Sequence, residues 1–319
     1  MNILVTGSAG FIGFHVSKSL LERGHNVIGI DNLNNYYDPT LKEARNNILK
    51  NHNNYTFYKI DLCEYEEMDK VFRNHKIECI CHLAAQAGVR YSLTNPFSYQ
   101  KSNLEGFLNI IELAKNNRVK NFVYASSSSV YGNNKKLPFS EKDRVDNPIS
   151  LYAATKKSNE LIAYTYSHLF NLPCTGIRFF TVYGPYGRPD MALFKFTKNI
   201  IEDKPIDVYN FGKMKRDFTY IDDIVSGVIS CLFKPFKYEI FNLGRSKSEK
   251  LMDFIYFIEK YLGKKAEINF LPIQPGDVPE TYADIQHARD LLGYEPEVDI
   301  AIGVKKFIDW YIDYYKINL

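Results

Sequence analysis

Three glycines at a spacing of three, Gly7, Gly10 and Gly13, separate a short apolar run, Asn2–Thr6, from a stretch, Phe11–Arg23, whose Phe11, Val16, Leu20 and Leu21 recur at helical spacing. A strand that turns through glycines straight into a helix has few folds open to it. Gly7 permits the sharp turn, Gly10 lets the backbone approach a pyrophosphate, and Gly13 lets helix and strand pack closely. The start of the helix, at Phe11 and Ile12, then offers free N–H groups and the positive end of its dipole to phosphate. The next apolar run, Asn26–Ile30, ends at Asp31, eighteen residues after Gly13. A carboxylate there accepts from an adenosine ribose 2′-hydroxyl and repels a 2′-phosphate, so NAD is expected over NADP. A turn residue beside Asn32 is the lesser alternative for Asp31. Asp61, ending the third run, reads equally as an acceptor for the adenine amino group and as a helix N-cap.

The alternation continues. Strands are expected at Tyr55–Ile60, Cys79–Leu83, Asn121–Ala125 and Cys174–Phe179, with helices near Glu64–Asn74, Pro96–Asn117 and Ser150–Phe170. Strands alternating with helices predict an α/β, Rossmann-type doubly wound parallel sheet with ligands at the strands' carboxyl ends. The later half is less regular. It is punctuated by proline and glycine, with helices near Met191–Glu202, Asp222–Phe233, Met252–Leu262 and Ile302–Tyr314. We expect a dinucleotide-binding domain over 1–178 and a smaller α/β C-terminal substrate domain over 179–319, with segments around 212–242 able to return to the first.

Composition narrows the function. A net charge of +3 without a clustered basic face argues against nucleic acid. No apolar run reaches the length of a membrane span. The five cysteines are odd in number, and Cys79 and Cys81 share one face of an expected strand, with no second pair at zinc spacing. No metal site is expected. A reducing, cytoplasmic compartment is expected, since no basic segment precedes a cleavable apolar stretch. His15, His82, His168 and His287 have no ligand-like partners at useful spacing and read as structural.

Tyr-x-x-x-Lys places both side chains on one helical face, but with 24 tyrosines the pattern is common: Tyr55/Lys59, Tyr131/Lys135, Tyr152/Lys156, Tyr209/Lys213, Tyr256/Lys260 and Tyr261/Lys265. Position discriminates. Only Tyr152 opens a long helix shortly after the fifth strand, which ends in Ser126–Ser129 at the sheet's ligand edge. A free tyrosine has a pKa of about 10, so acting as a base near neutrality requires a shift worth roughly 4 kcal/mol. A Lys156 ammonium and an oxidised nicotinamide, both cationic, would favour the phenolate. Ser127 would hold the substrate hydroxyl.

With these residues assembled, the chain resembles the extended short-chain dehydrogenase/reductases and, more narrowly, the UDP-glucuronate 4-epimerases. The carrying segments are His82–Arg90, Tyr124–Gly132, Leu151–Lys157, Arg178–Pro185, Gly187–Phe194, Lys215–Asp223 and Pro275–Val278. The resemblance implies a tightly held NAD, the catalytic set Ser127, Tyr152 and Lys156, and transient oxidation at C4. It implies NAD contacts at Gly7, Gly10, Phe11, Ile12, Gly13, Asp31, Asn32, Asp61, Leu62, Leu83, Ala84, Ala85 and Asn103, besides Tyr152 and Lys156. It places a UDP-sugar at Arg90, Ser128, Ser129, Thr181, Arg188, Met191, Phe194, Val208, Arg216 and Asp277. Dehydratase relatives carry an acidic pair where this chain has Ser128 and Ser129, and decarboxylating UDP-xylose synthases a Glu where it has Ser129. Neither acid is present. A UDP-galactose or UDP-N-acetylhexosamine 4-epimerase stays open as an alternative, as does a sensor that binds NAD without turnover. Relatives pair through two helices, here Pro96–Asn117 and Ser150–Phe170, so a homodimer is expected.

Overall fold

The structure, a computed structural model, describes residues 1–318. Strands β1 (Asn2–Thr6), β2 (Asn26–Ile30), β3 (Tyr55–Tyr58), β4 (Cys79–His82), β5 (Asn121–Ala125) and β6 (Cys174–Phe179) form one parallel sheet in the order 3-2-1-4-5-6. A seventh strand, Tyr238–Leu243, joins beyond β6 and is parallel to it. The order reverses between β1 and β4, and the crevice at such a switch point is where ligands of these sheets bind. Helix α1 (Phe11–Glu22) follows β1, α2 (Pro39–Lys50) follows β2 and α3 (Tyr65–Asn74) follows β3.

Strand alternation divides the core between the two faces. Along β1, Ile3 and Val5 join one buried cluster with α1 and the helix Ile221–Phe233, while Leu4 joins another with Met68, Val71 and Ile110. Cys79 and Cys81 share the first cluster, and all five cysteines are unpaired. That cluster runs on without a break into the later residues, through Phe194, Phe254, Phe307 and Tyr311. The part beyond β6 holds small two-stranded pairings: Thr181–Tyr183 with Phe218–Tyr220, Ile206–Tyr209 with Ile268–Leu271, and Lys215–Arg216 with Glu249–Lys250. Residues past 178 thus contribute both an edge strand and a helix to the main sheet.

The helix expected over Pro96–Asn117 is interrupted. Pro96–Tyr99 and Gly106–Asn116 are α-helical, but Gln100–Glu105 forms a π-helical turn. The extra residue turns Asn103 inward, where it accepts from the Gln86 N–H (2.8 Å) and donates to the Gln86 carbonyl (3.0 Å) and the Thr155 hydroxyl (3.1 Å). Helix α2 was not expected from the sequence, although Asp38 caps it by accepting from the Thr40 N–H at 3.0 Å and Pro39 opens it.

Candidate active site

At the switch point the glycine turn is fixed by close backbone contacts. Gly7 has a φ of +70°, and a Cβ there would come within 2.8 Å of the Ala84 nitrogen. A Cβ on Gly13 would lie 2.0 Å from the Gly7 carbonyl oxygen, so α1 sits against the turn only because Gly13 has no side chain. Asp31 accepts from the Ala9 N–H (3.2 Å) and the Leu33 N–H (2.9 Å), tying the end of β2 to the same turn. Burial raises its pKa, with Lys42 and Arg45 nearby opposing the rise. Asp61 accepts from the Cys63 N–H (3.0 Å) and the Asn32 amide (2.9 Å). It does not cap α3, whose N-cap residue is Glu64.

The central residues come from β5 and the helix that follows. Ser150 caps Leu151–Phe170 by accepting from the Ala153 N–H at 3.1 Å, which sets Tyr152 and Lys156 in its first turns. Ser127 is 8% exposed, in extended backbone, and accepts from the Ser129 N–H at 3.1 Å. Behind them lies a buried network. Glu160 takes two bonds from Arg178, Nε at 2.8 Å and Nη2 at 2.9 Å, and a third from the Ser126 hydroxyl at 2.7 Å. One carboxylate thereby locks β5, β6 and the Tyr152 helix together.

Burial pushes the Tyr152 hydroxyl above its ordinary pKa, and the Ser127 hydrogen bond and the Arg188 charge pull against it. Lys156 is 2% exposed and donates to the Ala125 carbonyl at 2.8 Å, and burial lowers its pKa to about 8. The Arg188 charge also favours the Tyr152 phenolate. Arg188 itself is held by Asp190, Nε to Oδ1 at 3.0 Å and Nη2 to Oδ2 at 2.5 Å.

The glycine turn, the serines after β5, Tyr152, Lys156 and Arg188 line one cleft of about 1000 Å³. It takes in Gly7, Gly10, Phe11, Ile12, Gly13, Asp31, Asn32, Asp61, Leu62, Leu83, Ala84 and Ala85, and also Ser127, Ser128, Ser129, Tyr152 and Lys156. Arg90, Thr181, Arg188, Met191, Arg216 and Asp277 line it too. Arg90 donates to Asp277 at 2.7 Å, so two residues expected to meet a sugar nucleotide also meet each other. Arg216 donates to the Lys215 and Pro279 carbonyls and makes no pair with Asp217, which is fully buried and accepts from the Arg245, Ser246 and Ala283 N–H groups.

Three expected contacts fall outside the lining. Asn103 is buried behind the Gln86 loop. Phe194 packs against Phe307, Trp310, Tyr311 and Tyr315, because helix Ala192–Ile201 turns Ala192, Lys195, Phe196 and Asn199 to the cleft instead. Val208 is fully buried, and strand alternation presents its neighbours Asp207 and Tyr209. Sequence reasoning passed over Tyr36, Lys42, Tyr91 and Asp190, which also line the cleft. Two carried a signal: Asp190 lies in the matching segment Gly187–Phe194, and Lys42 on an overlooked helix. Among the described residues no cluster has the make-up of a metal site, and no helix is long and apolar enough to cross a membrane.

The model of the NAD dependent epimerase/dehydratase family matches residues 3–244. An uncharacterised protein of Methanocaldococcus jannaschii is 60% identical, over 98% of this chain and 96% of its own. A UDP-glucuronate 4-epimerase of Thermodesulfobacterium geofontis is 49% identical, over 96% of this chain and 95% of its own. The solved UDP-glucuronic acid 4-epimerase of Bacillus cereus, in complex with UDP-glucuronic acid and NAD, superimposes with a TM-score of 0.93 at 36% identity, covering 99% of this chain and 100% of that one. A family match over more than half the chain, with relatives this similar over nearly its full length, shows that the protein belongs to the NAD dependent epimerase/dehydratase family.

Proposed function

We propose that the protein inverts C4 of UDP-glucuronate, giving UDP-galacturonate through a transient 4-keto sugar, with NAD held throughout. The observation that carries this reading is one cleft that joins the glycine turn and Asp31 to Ser127, Tyr152 and Lys156. The relatives of stated activity support the substrate. The residues fit the cofactor: a turn that no Cβ could enter leaves main chain open to a diphosphate, and Asp31 suits an unphosphorylated ribose. When bound, the oxidised nicotinamide supplies a hydride acceptor and a positive charge.

The protein's own groups do the rest. Ser127 holds the C4 hydroxyl. Tyr152 removes its proton as the C4–H bond breaks, and returns it when hydride is delivered to the other face of the ketone. The protein alone holds Tyr152 protonated, so its action as a base depends on added positive charge near it. The 4-keto uronate is a β-keto acid, prone to lose CO2. Hydroxyls on Ser128, Ser129 and Thr181, with the Arg188 guanidinium, hold its carboxylate without an acid or base to assist departure.

The partner proposed is a second copy of this chain. Helix Leu151–Phe170 exposes Leu161 (58%), Tyr164 (54%) and Leu169 (61%), and Phe97 on the preceding helical segment is 82% exposed. Apolar exposure on two neighbouring helices suits a paired interface. The substrate is tested by incubating the pure protein with a panel of UDP-sugars, without added NAD, and following C4 inversion by NMR. Inversion of UDP-glucuronate is expected. Inversion of neutral UDP-hexoses alone would replace the substrate, and bound NAD with no turnover would make the protein a sensor.

A further inference from the structure

The loop Pro185–Asp190 carries Arg188 into the cleft, and side chains from the first half of the chain hold it. His15 Nε2 meets the Pro185 carbonyl at 2.9 Å. Arg45, fully buried and without a carboxylate partner among the described residues, donates to the Tyr186 (2.7 Å) and Gly187 (3.2 Å) carbonyls. Its other terminal nitrogen donates to the Ala9 carbonyl in the glycine turn at 2.9 Å. Tyr36 completes the set, its hydroxyl donating to Asp190 Oδ2 at 3.1 Å. Asp190 in turn grips Arg188 through both carboxylate oxygens.

We propose that Asp190 and Tyr36 are positioning residues that aim Arg188 at the reacting end of the cleft. The physical need is plain. A free arginine side chain samples many rotamers, and a two-point carboxylate removes most of that freedom before substrate arrives. A carboxylate that can itself rotate is a poor anchor, and the Tyr36 hydroxyl stops that rotation. Tyr36 is fixed in its turn: its ring lies 4.8 Å from that of Tyr91, and any Cβ on Gly88 would come within 2.7 Å of its hydroxyl. Since Tyr36 sits on the loop that follows Asp31, the segment beside the nucleotide end of the cleft also sets the cation beside Tyr152. The role in substrate handling rests on the proposal that Arg188 meets the uronate carboxylate.

A double-mutant cycle on the holoenzyme tests this, with Tyr36→Phe, Arg188→Ala and the pair. Tyr36→Phe removes one hydroxyl and no packing. It should lower kcat/KM for UDP-glucuronate by roughly ten- to a hundredfold, the worth of one hydrogen bond to a charged group. Bound NAD and the calorimetric affinity for UDP alone should stay unchanged. In the Arg188→Ala background the same substitution should cost less than about twofold, because Tyr36 acts only through Arg188. Additive losses, or an inert Tyr36→Phe, would overturn the proposal while leaving the epimerase reading intact. If the wild type inverts only a neutral UDP-sugar, the substrate assignment fails first, and the same cycle on that sugar still decides whether Tyr36 and Arg188 are coupled.

Discussion

Tyr152 was singled out among six equally spaced Tyr/Lys pairs by position alone, and it lines the cleft with Ser127 and Lys156. Tyr152→Phe keeps the ring and removes the titrating oxygen, so turnover should fall by roughly 10²–10⁴ with bound NAD retained. NMR turnover within tenfold of wild type would contradict its role. Side-chain direction was less legible. Phe194 belongs to a matching segment and Val208 was expected as a contact, yet which way each points is set by helix and strand phase, and both point into the core. The same scale carries a pH prediction. His82 is 2% exposed, its Nδ1 is 2.8 Å from the Thr6 hydroxyl, and burial, with the Lys156 charge second, lowers its pKa to about 3. The fold therefore takes the neutral ring, while an unfolded chain protonates below about 6.5. The contribution is complete above pH 6.5 and is lost as pH falls toward 3. Between pH 6.5 and 4.5 it amounts to about 2–3 kcal/mol. His82→Asn should flatten that part of the stability profile in denaturant titrations, and an unchanged slope would contradict the assignment.

At the scale of elements, the strands β1 to β6 were readable because each is a short apolar run closed by small or polar residues. Helix α2 was readable too, from Asp38–Pro39 and from Leu41, Arg45 and Leu49 on one side, but its polar composition hid it. The π-turn at Gln100–Glu105 was not readable. It brings Asn103 to Gln86 and Thr155, partners distant in sequence. The Glu160–Arg178–Ser126 network is likewise tertiary. Arg178 is 3% exposed and Glu160 2%, so removing one partner strands the other's charge in the core. Glu160→Ala should cost about 3–5 kcal/mol in urea unfolding. A loss below about 1 kcal/mol would show the pair to be solvated in solution.

For the molecule as a whole, alternation of strand and helix sufficed to expect the parallel sheet. The return of Tyr238–Leu243 to its edge could be allowed for but not located, because nothing local distinguishes that strand from those of the later, smaller pairings. Pairing of two copies is the proposal that belongs to this scale. Leu161→Glu and Tyr164→Glu together should turn a dimer into a monomer in light scattering, and a wild-type monomer would remove the interface altogether. The central claim is inversion at C4 by a hydride that leaves and returns within one enzyme. It is tested most directly with UDP-glucuronate carrying deuterium at C4, in ordinary water, with no added NAD. UDP-galacturonate should form and keep the deuterium at C4. Product that has exchanged it for solvent hydrogen, or no product from protein with NAD bound, would rule out an internally returned hydride.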